Sequence, residues 1–398
     1  MECVDKIVQG FSFAARAAGI RRSGRLDLGL IYSQQPARAA GVFTTNKVQA
    51  APLQVTRDCV RAGLCQAVVV NSGIANACTG DAGLQAARRS AAVAADRLGI
   101  GEALVAVSST GVIGQQLPLP LLEQEIPALA DDLRADGIDA VAQAIMTTDS
   151  YPKLSSRRGQ VDGREYTLLG VAKGAGMIHP NMATMLAFVM TDAQVAETFM
   201  PQALAQAVAG SFNIITVDGD TSTNDMVLLL ANGAAQTAEI TADMEAGRQF
   251  AQLLREVLLD LAKMIVRDGE GATKLVHVEV VGAADSEDAR RVAHSIATSN
   301  LVKTAFFGED ANWGRIIAAV GYSGAAVEPE RIAIRFDDIA VVHQGLGTGP
   351  ELEQQATAVL KRPEFTVTVD LGLGAGRAEY YTSDLTYEYV KINAAYRT

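Results

Sequence analysis

Thr184 stands where a glycine- and proline-rich run, Lys173-Gly174-Ala175-Gly176-Met177-Ile178-His179-Pro180-Asn181-Met182-Ala183, meets an apolar segment over residues 185–191. A hydroxyl held at such a bend behind a small residue can attack its own upstream carbonyl, pass through an ester and release a new N-terminus. Thr184 would then carry a free α-amine beside its hydroxyl, and that amine can serve as the hydroxyl's general base. Its unperturbed pKa of about 7.7–8.0 lies close to neutrality, and burial would lower it further. A bare Ala-Thr step would read only as a β-branched residue opening a strand; the surroundings are what give this one a chemical reading.

Acyl transfer through Thr184 needs donors for an oxyanion, recognition of a charged substrate and a water-poor pocket. Ser108-Ser109-Thr110-Gly111-Val112-Ile113-Gly114 follows an expected strand and can aim a hydroxyl and a backbone N–H at developing negative charge. Asn71 to Gly80 and Val217 to Asp225 are dense in small polar groups beside apolar strands. Such density costs core stability unless the groups bond one another or a ligand. Singly, each of these runs also reads as an ordinary turn network. His179 lies in the loop before Thr184, where a packing role and a chemical role are both open.

The elements that must position these residues follow from periodicity. Alternation and β-branched content predict strands over 11–15, 26–32, 67–71, 104–108 and 168–172, then 185–191, 276–281, 332–336, 365–371 and 377–382. Helical periodicity predicts helices over 83–98, 121–144 with a break near Gly137, 196–212, 242–267, 286–301 and 313–322. Strand and helix do not alternate regularly enough for a barrel, so layered α/β sandwiches are expected. Arg157 to Arg164, with Gly159 and Gly163, reads as a polar turn segment and the nearest thing to a linker. Gly345, Gly347 and Gly349 read as turn glycines, and Gly372, Gly374 and Gly376 as a hairpin connection. Neither cluster has the context of a dinucleotide fingerprint.

Composition removes several function classes. The chain has 398 residues, 49% of them apolar, enough to bury a large core. A formal net charge of −11 with dispersed basic residues argues against nucleic acid as a partner. The four cysteines, Cys3, Cys59, Cys65 and Cys78, form no CxxC pair and no disulfide scaffold, so a reducing cytoplasm is expected. No unbroken apolar span and no export signal are read, so no membrane association is expected. His179, His277, His294 and His343 lack ligand spacing, so no metal is expected.

Together, the run from Lys173 to Leu186, Ser108 to Gly114, Asn71 to Gly80, Asp218 to Asp225, Gly308-Glu309-Asp310-Ala311-Asn312-Trp313-Gly314-Arg315 and Tyr389-Val390-Lys391-Ile392-Asn393 resemble the ArgJ family across essentially the whole chain. That family comprises ornithine acetyltransferases, also called glutamate N-acetyltransferases. The resemblance implies a layered α/β fold of the N-terminal-nucleophile type, cut between Ala183 and Thr184 into an α chain, 1–183, and a β chain, 184–398, which stay together as an α2β2 assembly. It implies ping-pong transfer of acetyl from N2-acetyl-L-ornithine to Thr184 and on to L-glutamate in arginine biosynthesis, without a cofactor. Thr110 and Gly111 match the oxyanion pair; Thr147, Lys173, Thr184, Glu270, Asn393 and Thr398 match substrate-binding positions. A lysine with small hydroxyl and amide groups suits a carboxylate, and Glu270 suits the ammonium end of ornithine.

Apart from the resemblance, Lys173 and Glu270 would read as surface charges, Asn393 as a strand end and Thr398 as a frayed terminus. An alanine, Ala395, stands where the family pattern leads us to expect aspartate. Acetyl-CoA as a further donor, which would add N-acetylglutamate synthase activity, is left open, although no phosphate-cradling motif argues strongly for coenzyme A. Two rival readings remain at this point. One is an N-terminal-nucleophile aminopeptidase or amidase in which water takes the acyl group; the other is a non-catalytic amino-acid-binding homologue.

Overall fold

Residues 186–191 are buried at every position, and so are residues 226–231. Neither segment alternates between apolar and polar, because the sheet that holds them is covered on both faces. The computed structural model describes residues 4–21, 24–179 and 185–395. Up to the glycine-rich loop the chain forms β1 (Phe11–Arg16), β2 (Leu28–Phe43), α1 (Ala51–Arg61), β3 (Leu64–Ile74), α2 (Gly80–Leu98), β4 (Val105–Val112), α3 (Leu119–Asp131), α4 (Ile138–Ala144), β5 (Lys153–Val161) and β6 (Arg164–Lys173). Beyond it come β7 (Leu186–Thr191), α5 (Met200–Ala209), β8 (Ile215–Thr216), β9 (Met226–Ala231), α6 (Glu245–Arg267), β10 (Leu275–Ala283), α7 (Ser286–Thr298) and α8 (Asn300–Phe307). The chain ends with α9 (Trp313–Gly321), β11 (Ala333–Phe336), β12 (Ile339–His343), β13 (Leu346–Gly347), α10 (Pro350–Leu360), β14 (Glu364–Asp370), β15 (Gly376–Ser383) and α11 (Tyr387–Ala395).

Two sheets carry the layers. The first has the order β4-β3-β2-β9-β7-β6-β5, with β1 also paired to β2; the second runs β13-β12-β11-β14-β10-β15-β8. On one face of the first sheet Ala187, Val189, Val227 and Leu229 pack with Phe250, Leu254, Val257, Leu258 and Leu261 of α6. Those helix positions recur at three- and four-residue spacing, which gives α6 one apolar stripe. On the other face Phe188, Met190, Leu228 and Leu230 pack with Ile138, Val141 and Ala142 of α4. The second sheet packs against α7, α8 and α9. The layered α/β expectation holds.

Four local readings change. Residues 157–164 are no linker: they complete β5 and turn into β6 through Asp162 and Gly163, both at positive φ (48° and 81°), as a two-residue hairpin requires. Its polar side chains answer α6, with Arg157 donating to Glu256 at 3.0 Å and to Asp260 at 2.8 Å. Gly372 to Gly376 join β14 to β15, but those strands are not hairpin partners, because β10 lies between them. The glycines let the crossing chain hug the end of β10, since a Cβ on Gly374 would meet Ala283 O at 2.7 Å. Strand β2 runs on to Phe43 through a register shift between Tyr32 and Ala37, past a Ser-Gln-Gln-Pro stretch that reads as a stop. Asn393 lies in helix α11, not at a strand end.

Candidate functional site

Lys173 closes β6 opposite Leu186, the first residue of β7, so the glycine-rich loop leaves and re-enters the sheet between adjacent strands. Thr110 and Gly111 lie near the end of β4, opposite Ser72 and Gly73 of β3. Gly111 has φ of 133°, and a Cβ there would meet Gly73 O at 2.5 Å and Ile74 N at 2.6 Å, so the approach of the two strands requires glycine. Asn224 holds this end of the sheet by donating to Ala75 O at 2.6 Å and to Ser109 O at 2.8 Å.

Thr110, Gly111, Thr147, Lys173, Glu270 and Asn393 all line one cavity of about 200 Å³. Ala183, Thr184 and Thr398 lie outside the described residues. The described chain resumes at Met185, whose N–H donates to Asp225 Oδ1 at 3.0 Å. Burial pushes the Asp225 carboxyl well above the usual carboxylate range.

The cation of the cavity is built from below. Lys173 is buried, and its Nζ donates to Thr147 Oγ1 at 2.8 Å and to Thr110 Oγ1 at 3.4 Å. The Asp149 carboxylate lies 3.8 Å away and also accepts from Lys153 at 2.8 Å, Gly174 N at 2.6 Å and Thr147 N at 2.9 Å. Burial alone would raise the Asp149 carboxyl, but the Lys173 and Lys153 ammonium groups and these donors hold it well below the ordinary range. Burial lowers the Lys173 pKa, and the Asp149 charge opposes that. Lys153, with no exposure, is shared with Asp268 at 2.6 Å. The result is a connected buried charge network in which Asp149 fixes both the lysine and the start of the loop.

Glu270 follows α6, and its N–H donates to Ala175 O at 2.8 Å. A Cβ on Gly176 would meet Glu270 Oε1 at 2.5 Å, so that glycine admits the carboxylate against the loop. Asn393 donates to Glu270 Oε2 at 2.8 Å. Asp218 holds the loop farther on, accepting from Met177 N at 2.6 Å and Ile178 N at 2.8 Å. Burial pushes its carboxyl up to about 6 against these amide donors. Met177, a non-glycine residue at φ of 60°, is held in a sparsely populated conformation there.

Asp149, Asp218, Asn224 and Tyr389 are site residues that sequence reasoning gave no individual role. Tyr389 sits inside the motif quoted with Asn393, Asp149 two residues beyond Thr147, and Asp218 and Asn224 inside a run readable as a turn network. The only signal was density of small polar groups. Among the described residues, no three His, Cys, Asp or Glu converge as a metal site, and no helix is long and apolar enough to cross a membrane. An ammonium, a carboxylate and small hydroxyl groups in one small cavity can hold a zwitterionic ligand.

The ArgJ family profile matches residues 12–398. The arginine biosynthesis bifunctional protein ArgJ of Syntrophotalea carbinolica is 71% identical over 391 residues, covering 98% of this chain and 99% of that protein. The protein of the same name from Geobacter sulfurreducens is 56% identical over 391 residues, covering 98% of this chain and 100% of its own. A crystal structure of arginine biosynthesis bifunctional protein argJ from Bacillus halodurans is 48% identical with a TM-score of 0.51, covering 52% of this chain and 98% of that chain. With a family match along nearly its whole length and relatives this similar, the chain belongs to the ArgJ family.

Proposed function

We propose that this protein is a glutamate N-acetyltransferase that moves acetyl from N2-acetyl-L-ornithine to L-glutamate through an acetyl-Thr184 ester. The observation that carries this reading is the placement of Lys173, Glu270, Thr110 and Gly111 around one cavity. In maturation, the Thr184 hydroxyl attacks the Ala183 carbonyl; the ester that replaces the peptide bond is then hydrolysed by water, leaving a carboxylate on Ala183 and an amine on Thr184. The solved chain from Bacillus halodurans supports a two-chain product, since 98% of it matches only 52% of this sequence.

In turnover, the Thr184 amine takes the hydroxyl proton as the oxygen attacks the acetyl carbonyl. Thr110 and the Gly111 N–H hold the oxyanion, the intermediate collapses, and the proton leaves with the ornithine amine. Glutamate's amine then attacks the ester and regenerates the hydroxyl. Lys173 pairs with the α-carboxylate common to both amino acids. Glu270 meets ornithine's side-chain ammonium, while Asn393 offers both a donor and an acceptor and so suits either side chain. Thr147 and Thr398 complete the substrate contacts, the two chains assemble as α2β2, and no cofactor takes part.

Incubation with N-acetylornithine and glutamate is expected to yield N-acetylglutamate and ornithine; free acetate without N-acetylglutamate would overturn the reading in favour of an amidase. A full-length band that never yields a new N-terminal threonine would favour a non-catalytic binding protein. Acetyl-CoA is proposed as a second donor to the same threonine, and replacing N-acetylornithine with acetyl-CoA in that assay tests it.

A further inference from the structure

A second cavity, of about 460 Å³, opens beside His179, His294 and Tyr380, away from the residues that line the acyl-transfer site. His179 and His294 are 115 residues apart, yet their Nε2 atoms lie 3.4 Å from each other. Their rings meet at 5.2 Å with an interplanar angle of 67°. The tautomer of His179 follows from its neighbour. Thr216 Oγ1 spends its only hydrogen on Ile178 O at 3.0 Å, so it must accept from His179 Nδ1 at 3.3 Å. The Nε2 of neutral His179 is therefore the lone-pair nitrogen, and it faces the other ring. This is the arrangement by which a hydrogen-bonded Nδ1 orients an imidazole for coordination.

Two imidazole nitrogens each about 2.0–2.1 Å from one tetrahedral ion stand roughly 3.4 Å apart, which is the spacing seen here. The cavity supplies a second, independent sign. The Tyr380 hydroxyl is buried without a hydrogen-bond partner, its ring stands edge-on to His294 at 5.9 Å, and it lines the same space. An orphaned hydroxyl beside a roomy cavity that histidine, serine and asparagine side chains also line calls for ordered water or an ion's hydration shell. The nearby guanidinium groups are already neutralised, Arg290 by Glu287 at 2.8 Å and Arg291 by Asp288 at 3.5 Å.

We propose that His179 and His294 form a two-histidine site for one divalent transition-metal ion of the zinc, nickel or copper class, which ties the loop leaving β6 to helix α7. Water completes the coordination shell, since no third His, Cys, Asp or Glu converges with them among the described residues. The scaffold on both sides is firm. The loop is anchored through Ile178 by Asp218 and Val217, and α7 is capped by the Asp285 carboxylate on Glu287 N and Asp288 N.

The test uses untagged full-length protein stripped with a chelator and titrated with zinc chloride by calorimetry, with thermal melting in parallel. One ion per His179–His294 pair should bind to the wild type and raise its melting temperature. His294→Ala, and His294→Gln as its better-packed counterpart, should bind zinc at least about tenfold more weakly, since losing a ligand costs no less than losing an outer-shell partner. His343→Ala, at the end of β12, should bind as the wild type does. Wild-type protein that takes up no zinc below about 1 mM, or His294 variants that bind with undiminished affinity, would overturn the proposal and leave the pair as a hydrogen bond between two rings.

Discussion

Replacing Gly111 with alanine probes the proposed oxyanion end of the sheet without touching a charge. An alanine at φ of 133° is strained, and its Cβ would come to 2.5 Å from Gly73 O and 2.6 Å from Ile74 N. Both obstacles are backbone in a paired strand, so no side chain can swing aside. A non-glycine residue in such a conformation costs about 1–3 kcal/mol, and forced overpacking about 1–3 kcal/mol more. The sum, roughly 2–6 kcal/mol, is a large share of the about 5–15 kcal/mol that holds an ordinary domain together. Relief comes by opening β4 from β3, which withdraws the Gly111 N–H from the oxyanion position. Losing one such donor costs on the order of 10²–10³ in kcat. Gly114→Ala is the matched comparison, because Gly114 has φ of 82° but no atom within 4 Å of an added Cβ. It should lose only about 1–2 kcal/mol from strain and keep most of its rate. Urea denaturation midpoints and the acetyl-transfer assay on both variants are the measurements. Gly111→Ala protein within about 1 kcal/mol of wild type and equally active would refute the reading of this strand junction.

Three further outcomes follow from the site. Thr184→Ala should remain a single uncut chain with no transfer activity, whereas Thr184→Ser should still cut; a denaturing gel and N-terminal mass spectrometry decide, and recovery of both fragments from the alanine variant would sink the assignment. Asp149→Ala should cost about 3–5 kcal/mol, the usual toll of stripping one partner from a buried ion network, because Lys153 and the Gly174 N–H both lose an acceptor and Lys173 loses its nearby carboxylate; unchanged denaturation midpoints would contradict it. For Asp218 the folded carboxyl keeps its proton to about 6, against 3.8 ordinarily. Its stabilising contribution is therefore complete below about 3.8 and is lost as pH rises through about 6, by up to about 3 kcal/mol. The stability gap between wild type and Asp218→Asn, followed from pH 4 to 7, should show that slope; a flat difference would refute it.

What the sequence disclosed about the site was local. The threonine behind its glycine-rich bend and the Ser-Ser-Thr-Gly run suggest a nucleophile and an oxyanion loop because that chemistry needs particular residue types at particular turns, and the proposed function takes both over. Partners that arrive from far along the chain were invisible. Asn224 bonds Ala75 O and Ser109 O across 149 and 115 residues, and nothing in Thr223-Asn224-Asp225 separates such a clamp from an ordinary turn. The histidines failed the spacing criterion for a metal because folding, not periodicity, joins His179 to His294. Strand prediction erred for related reasons. Gly372 to Gly376 look like a hairpin until β10 is found between the two strands, and β2 continues through residues that locally signal a stop. Charge gave no sign that Lys153 would lie buried, since its compensation by Asp149 and Asp268 is tertiary.

The strand order of the first sheet sets a direction in time on maturation. Strands β4, β3 and β2 lie on one side, β6 and β5 on the other, and the two strands between them, β9 and β7, come from beyond Thr184. A cut before Thr184 thus leaves the first chain's strands in two groups joined through the second chain. The precursor can assemble that interleaved sheet as a unimolecular search, with the loop tethering β6 to β7. The processed pair, once denatured, must repeat the search as two separate molecules, each exposing strand edges prone to aggregation. Its persistence then rests on the height of the unfolding barrier rather than on reversible equilibrium. Refolding yield should therefore be high for uncut Thr184→Ala protein and low for the mature enzyme, which makes the cut a commitment that the folded molecule cannot reverse.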